Sequence, residues 1–159
     1  MYRDKSRNKK FYIICHNIRS RENIGSIFRT SDAFGVSKIY LTGYTPTPPH
    51  DKIFKTALGA EKWMPWEQRK SVSGLLKELK KKKVKIIALE QSSKSIPLEK
   101  FKPRFPMALI VGNEVRGLSR STLQKADVAV EIPMLGKKES LNVAVAFGIA
   151  AYHVRQFHV

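Results

Sequence analysis

Apolar residues along this chain come in short compact blocks, separated by longer stretches in which they recur at helical spacing. Residues 10–15 (KFYIIC), 38–43 (KIYLTG), 84–90 (VKIIALE), 107–112 (MALIVG) and 128–132 (VAVEI) predict strands. The runs 84–90 and 107–112 have the unbroken apolar character of parallel strands buried on both faces. Behind the polar turn HNIRSRE, Ile24, Ile27, Phe28 and Phe34 follow a helical period, with Asn23 set to cap that helix. Residues 53–60, 72–82 and 121–127 predict further helices, and 141–157 a closing helix that is apolar over most of its circumference. Three prolines within the eight residues YTPTPPHD exclude regular structure there. WMPWEQ (63–68) predicts an edge strand interrupted by Pro65.

Strands separated by helices predict an α/β fold, a mostly parallel sheet flanked by helices. Neither a repeat nor a long linker divides the sequence, so one domain is expected over 1–159, with 1–10 as a basic N-terminal tail. The hydrophobic share of 42% fits a globular core. No apolar run reaches the roughly 18–20 residues of a membrane span, and no apolar segment with a cleavage site follows the basic start. A single cysteine, Cys15, cannot form an intrachain disulfide and lies in an apolar run, as expected of a buried thiol in a reducing cytoplasm.

Charge narrows the partners. Thirty Lys and Arg against thirteen Asp and Glu give +17, and the sequence pI is near 10.2. The excess gathers at Arg3, Lys5, Arg7, Lys9 and Lys10, and again at Lys77, Lys80–Lys83 and Lys85. Such an excess attracts polyanions, and RNA is the commonest in a cytoplasm. A membrane surface is the weaker expectation, because neither cluster carries an insertable apolar face.

Ligands of open parallel sheets bind beyond the carboxyl ends of the strands. Three such ends here carry unusual residues: LEQSSK after 84–90, GNEVRGLS after 107–112, and PMLGKKESLN after 128–132. Taken singly, each has a structural explanation, such as Ser140 capping the last helix; adjacent strands bearing all three point to a site. No GxGxxG or GxxxxGK[ST] motif is present. His16, His50, His153 and His158 lack metal-ligand spacing, so no metal is expected. Gly25 and Arg29 share a helix face at i,i+4, which predicts open space beside the guanidinium.

Three segments in order, N-x-G-x-x-x-R (Asn23, Gly25, Arg29), IVGNEVRGLS (110–119) and IPMLGKKESLNVAVA (132–146), resemble the motifs of the SpoU (TrmH-like) RNA 2′-O-ribose methyltransferases of the SPOUT superfamily. KTALGAEKW (55–63) resembles the region linking them, and the match runs from about residue 11 to 155. The resemblance implies a C-terminal deep trefoil knot and S-adenosyl-L-methionine as cofactor. It implies cofactor contacts at Leu89, Glu90, Gly112, Asn113, Glu114, Ile132, Met134, Ser140 and Leu141. It also implies a homodimer whose active site is completed near the interface, and an RNA substrate, tRNA slightly ahead of rRNA.

Arg29, Asn23, Glu114, Ser140 and Asn142 match the catalytic positions. Arginine stays charged in proteins, so the expected role of Arg29 is electrostatic, holding phosphate and stabilising a developing alkoxide. Asn23 is expected to position Arg29 or the ribose, and Glu114 to orient Arg29 or balance charge near the sulfonium. Ser140 and Asn142 are expected to align donor and acceptor. Larger family members carry a long N-terminal RNA-binding domain, which is not found before residue 11, so the catalytic domain itself is expected to find the RNA. The alternatives are a non-catalytic RNA-binding or ribosome-assembly factor with the same fold, which would have no need of all five residues, and a base methyltransferase from another SPOUT branch, which would lack N-x-G-x-x-x-R.

Overall fold

The computed structural model describes residues 9–157; Arg3, Lys5 and Arg7 of the expected basic tail lie outside them. The strands are β1 (Phe11–His16), β2 (Lys38–Thr42), β3 (Trp66–Arg69), β4 (Lys85–Leu89), β5 (Ile96–Pro97), β6 (Met107–Val111) and β7 (Val128–Glu131). The helices are α1 (Arg21–Ala33), α2 (Asp51–Ala57), α3 (Val72–Lys81), α4 (Arg120–Lys125) and α5 (Val143–Arg155). The strands form one seven-stranded sheet in the order β3-β2-β1-β6-β4-β7-β5, and every pairing is parallel.

Alternation along the strands builds two cores. On one face Phe11, Ile13 and Cys15 of β1 and Met107, Leu109 and Val111 of β6 pack with Ile24, Ile27 and Phe28 of α1, Ile53 of α2 and Phe147 of α5. On the other, Ile14, Ala108, Ile110, Ile86 and Ala88 meet Leu75, Leu76 and Leu79 of α3. A fully buried Ile, Leu or Phe contributes about 1.5–3 kcal/mol, so the central strands anchor both layers. β3 begins just after Pro65 and is an edge strand, where the missing amide hydrogen costs no ladder bond. Among the described residues no helix is long and apolar enough to cross a membrane.

Three local expectations are corrected. Ser20 caps α1, its Oγ accepting from the Asn23 amide at 3.1 Å, so Asn23 lies inside the first turn with its side chain free for other work. Asn142, and not Ser140, caps α5, accepting from the amides of Ala144 and Val145 at 2.9 and 3.2 Å. The face of Gly25 is filled: a Cβ there would run into the Thr56 side chain and the Ile53 carbonyl of α2. The glycine serves a close helix crossing and leaves no open space for Arg29.

Candidate active site

The loops leaving β4, β6 and β7 meet at the carboxyl edge, on strands adjacent in the order β6-β4-β7, and enclose a cleft. Leu89 and Glu90 line it from the first loop, Gly112, Asn113 and Glu114 from the second, and Ile132, Met134, Ser140 and Leu141 from the third. These are the nine positions that the resemblance assigns to the cofactor. Gln91, Val111, Val115, Gly117, Glu131, Val143 and Ala146 complete the lining. All seven lie within segments the sequence sets apart, but only Gly117, the second glycine of GNEVRGLS, stands out individually.

The middle loop is held rigidly. Asn113 is buried; its Oδ1 accepts from the Val115 and Arg116 amides, both at 2.9 Å. Its Nδ2 donates to the Asn17 carbonyl and the Tyr44 hydroxyl, both at 3.0 Å. Gly117 adopts φ +64°, and a Cβ there would overlap the Glu90 carboxylate. That carboxylate accepts from the Leu118 amide at 2.9 Å and the Gln91 amide at 3.1 Å, tying the β4 loop to the β6 loop. Gln91 Nε2 in turn donates to the Glu139 carbonyl at 2.7 Å, reaching the β7 loop.

Glu114 faces the start of α1. Its carboxylate accepts from the Arg19 amide at 3.0 Å, the Ser20 amide at 3.0 Å and Asn23 Nδ2 at 3.3 Å. Partial burial pushes the Glu114 pKa up, but the amides of Arg19, Ser20 and Glu114 itself, together with Asn23, outweigh it and hold the carboxyl below its ordinary value. Asn23 Oδ1 accepts from Asn142 Nδ2 at 3.0 Å. One hydrogen-bonded chain thus links the three sequence motifs: Asn142 to Asn23 to Glu114.

Arg29 stands apart. It is exposed on α1, does not line the cleft, and the carboxylate expected to orient it is taken up by the β1–α1 loop. Helical geometry explains the separation, since six residues carry Arg29 about 9 Å along α1 from Asn23 and to a different side. Cys15 is fully buried; burial and then the Glu114 charge push its pKa far up, which makes it a poor nucleophile. Among the described residues no group of three His, Cys, Asp or Glu side chains is placed to hold a metal.

An open parallel sheet with a cleft of mixed apolar and acidic lining at its carboxyl edge is the architecture of an α/β protein that binds a nucleotide-like small molecule. More narrowly, the chain belongs to the SpoU rRNA Methylase family, whose model matches residues 10–152. It is 33% identical over 153 residues to the tRNA (guanosine(18)-2′-O)-methyltransferase of Aquifex aeolicus, covering 96% of this chain and 72% of that protein. It is 31% identical over 157 residues to a 23S rRNA (guanosine(2553)-2′-O)-methyltransferase of Bacillus subtilis, covering 98% of this chain and 62% of the relative. An AdoMet-bound rRNA methyltransferase from Sinorhizobium meliloti superposes with a TM-score of 0.84 at 26% identity, covering 95% of this chain and 57% of the other. Against the last two, the chain therefore spans less than two thirds of the longer protein.

Proposed function

We propose that this protein transfers a methyl group from S-adenosyl-L-methionine to a ribose 2′-oxygen of tRNA or rRNA. The observation that carries the reading is the cleft, with its nine matched positions and the Asn142–Asn23–Glu114 chain at its rim. Its lining fits the cofactor chemically. Leu89, Ile132, Met134 and Leu141 offer apolar cover for a flat heteroaromatic ring, and Glu90, Glu114 and Glu131 give an acidic interior within a protein of charge +17. That sign suits a cation. Bound there, S-adenosylmethionine would supply a methyl group on a positively charged sulfonium.

The chain's own residues would do the rest. Asn142 and Ser140, just before α5, hold donor and acceptor in line. Arg29, which makes no side-chain hydrogen bond or ion pair among the described residues, takes an RNA phosphate and stabilises charge developing on the 2′-oxygen. Asn23 and Glu114 act by fixing the α1 entry and the β6 loop against each other, rather than by touching Arg29.

We further assign a single domain, a C-terminal trefoil knot and a homodimer. The knot reading is supported by the 132–142 segment, bound to the β4 loop through Gln91 and to α1 through Asn142. The dimer reading is supported by Val145, Ile149 and Tyr152, which are exposed at helical spacing along α5, and by Leu141, exposed just before it. In a dimer the second copy would complete the site, and Arg29 would act at its rim. A cytoplasmic location suits both the RNA substrate and the lone reduced thiol.

The test is methyl transfer from labelled S-adenosylmethionine to bulk tRNA and to rRNA, followed by nucleoside mass spectrometry. A 2′-O-methylnucleoside is expected. A methylated base, or no incorporation into either pool by folded protein, overturns the reading.

A further inference from the structure

The sheet also has an amino edge, and it is basic. Phe11 of β1 pairs with Met107 of β6, which pairs with Lys85 of β4. The backbone bonds from Met107 to the Lys10 carbonyl and from Lys85 to the Pro106 carbonyl, at 3.0 and 2.9 Å, continue that row one residue upstream. At about 4.8 Å per strand, Lys10 and Lys85 stand roughly 10 Å apart on this edge. Arg104 enters it just before β6, Lys81 ends α3, and Lys83 lies in the turn between α3 and β4. Lys10, Lys81, Lys83, Lys85 and Arg104 are all exposed and take part in no ion pair among the described residues.

The Asp127 and Glu78 side chains have other partners, although an amide hydrogen bond leaves the Asp127 charge in place. The Asp127 carboxylate accepts from the Ile86 amide at 2.7 Å, and Glu78 is engaged by Arg69 and Lys82. Three segments distant in sequence thus converge into one patch with a net excess of positive charge. From Lys85 to Glu90, five residue steps at about 3.3 Å put roughly 17 Å of strand between the patch and the cleft. Lys10, Lys81, Lys83 and Lys85 therefore lie at the opposite end of the strands from the site.

We infer that this amino-edge patch is a second contact surface for RNA, engaging the phosphate backbone of a folded element remote from the nucleotide in the cleft. The inference rests on the RNA reading above and adds to it a substrate class, a structured RNA long enough to reach both edges. Phosphate contacts of this kind position an RNA without reading its sequence. They raise affinity and leave the chemical step alone.

The variant that tests it is Lys10→Gln, Lys81→Gln, Lys85→Gln and Arg104→Gln combined, with a second variant carrying Arg at the three lysines and Arg104 unchanged. Binding of full-length protein to bulk tRNA and to rRNA would be measured across a salt series, beside KM and kcat for methyl transfer. Removing one bound phosphate makes the slope of log K against log salt shallower by about 0.7–0.9, so the Gln variant should bind about tenfold or more weakly, with a visibly flatter salt dependence. Its KM for RNA should rise while kcat at saturating RNA and S-adenosylmethionine affinity stay at wild-type values. The all-Arg variant should bind like wild type. Unchanged affinity and slope in the Gln variant overturn the patch, as does binding to phosphatidylserine vesicles that the Gln substitutions abolish while RNA binding persists. RNA binding that depends on the patch but yields no methylated product would instead refute the enzyme reading and leave the patch standing.

Discussion

Asn142 Nδ2 donates to Asn23 Oδ1 at 3.0 Å, joining the N-cap of α5 to the first turn of α1 across 119 positions of chain. Both amides have their orientation fixed by other partners. Asn142 Oδ1 is committed to the Ala144 and Val145 amides, and Asn23 Nδ2 to Glu114. Asn142→Asp therefore keeps the cap but replaces the donor facing Asn23 with an acceptor. Asn23 can answer only by turning its amide, which withdraws its donor from Glu114. Asn and Asp cap helices about equally well, so Asn142→Asp should leave the melting temperature close to wild type while lowering kcat. Asn142→Ala should cost about 1 kcal/mol of stability as well. Thermal melts beside methyl-transfer rates separate the two, and wild-type turnover in Asn142→Asp would remove the linkage from the catalytic account.

Arg29 offers a cleaner separation of catalysis from folding. It is exposed and makes no side-chain hydrogen bond among the described residues, so Arg29→Ala should change stability by no more than about 0.5 kcal/mol. Removing one group that stabilises developing negative charge costs about 10²- to 10³-fold in kcat. S-adenosylmethionine affinity, read by calorimetric titration, should be unchanged because Arg29 is outside the cleft lining. Arg29→Lys should recover part of the rate, since charge remains but the planar fork is lost. Parallel loss of cofactor binding in Arg29→Ala would falsify this assignment.

The depressed pKa of Glu114 carries a definite sign. A carboxylate held below its ordinary value by amide donors contributes stability that is fully present above the unfolded pKa, and it is lost as pH falls through the folded one. At neutral pH the contribution is complete, so acid should loosen the contact between the β6 loop and α1. Glu114→Gln, which removes this titration and turns a donor toward the Arg19 or Ser20 amide, should be less stable at pH 7. Its stability should also fall less steeply into acid than that of wild type. Denaturant midpoints measured from neutral pH into the acid range compare the two slopes; parallel slopes would show that Glu114 does not couple folding to pH.

The strands of the sheet's centre were legible because residues such as Ile13, Ile86 and Leu109 are buried on one face or the other of a parallel sheet and leave an unbroken apolar run. β5, at two residues, carries no periodicity at all. Cap assignment failed where several cap formers stood close together. Ser20 and Asn23 both precede apolar helical residues, as Ser140 and Asn142 do before α5, and only tertiary contact decides which oxygen is free. The cleft was legible as three unusual strand ends. The role of Gln91 was not, because its bond to the Glu139 carbonyl joins loops whose meeting depends on the order β6-β4-β7.

Gly25 gives the sharpest contrast between a helix seen alone and a helix packed. Within α1, Gly25→Ala should be favourable, since alanine exceeds glycine in helix propensity by about 1 kcal/mol. In the folded protein the added methyl would meet the Thr56 side chain, whose hydroxyl donates to the Glu22 carbonyl at 2.9 Å, and the Ile53 carbonyl beside it. The threonine can turn aside only by giving up that bond, and the carbonyl cannot move without shifting α2. Overpacking of this kind costs about 1–3 kcal/mol, enough to reverse the propensity gain. Gly25→Ala should therefore lower the denaturation midpoint, and Thr56→Ala in the same background, which removes the colliding hydroxyl, should recover little, because the collision with the Ile53 carbonyl remains. A Gly25→Ala protein as stable as wild type would mean that α1 and α2 separate easily, and the glycine would then need a functional explanation at the α1 surface that bears Arg29.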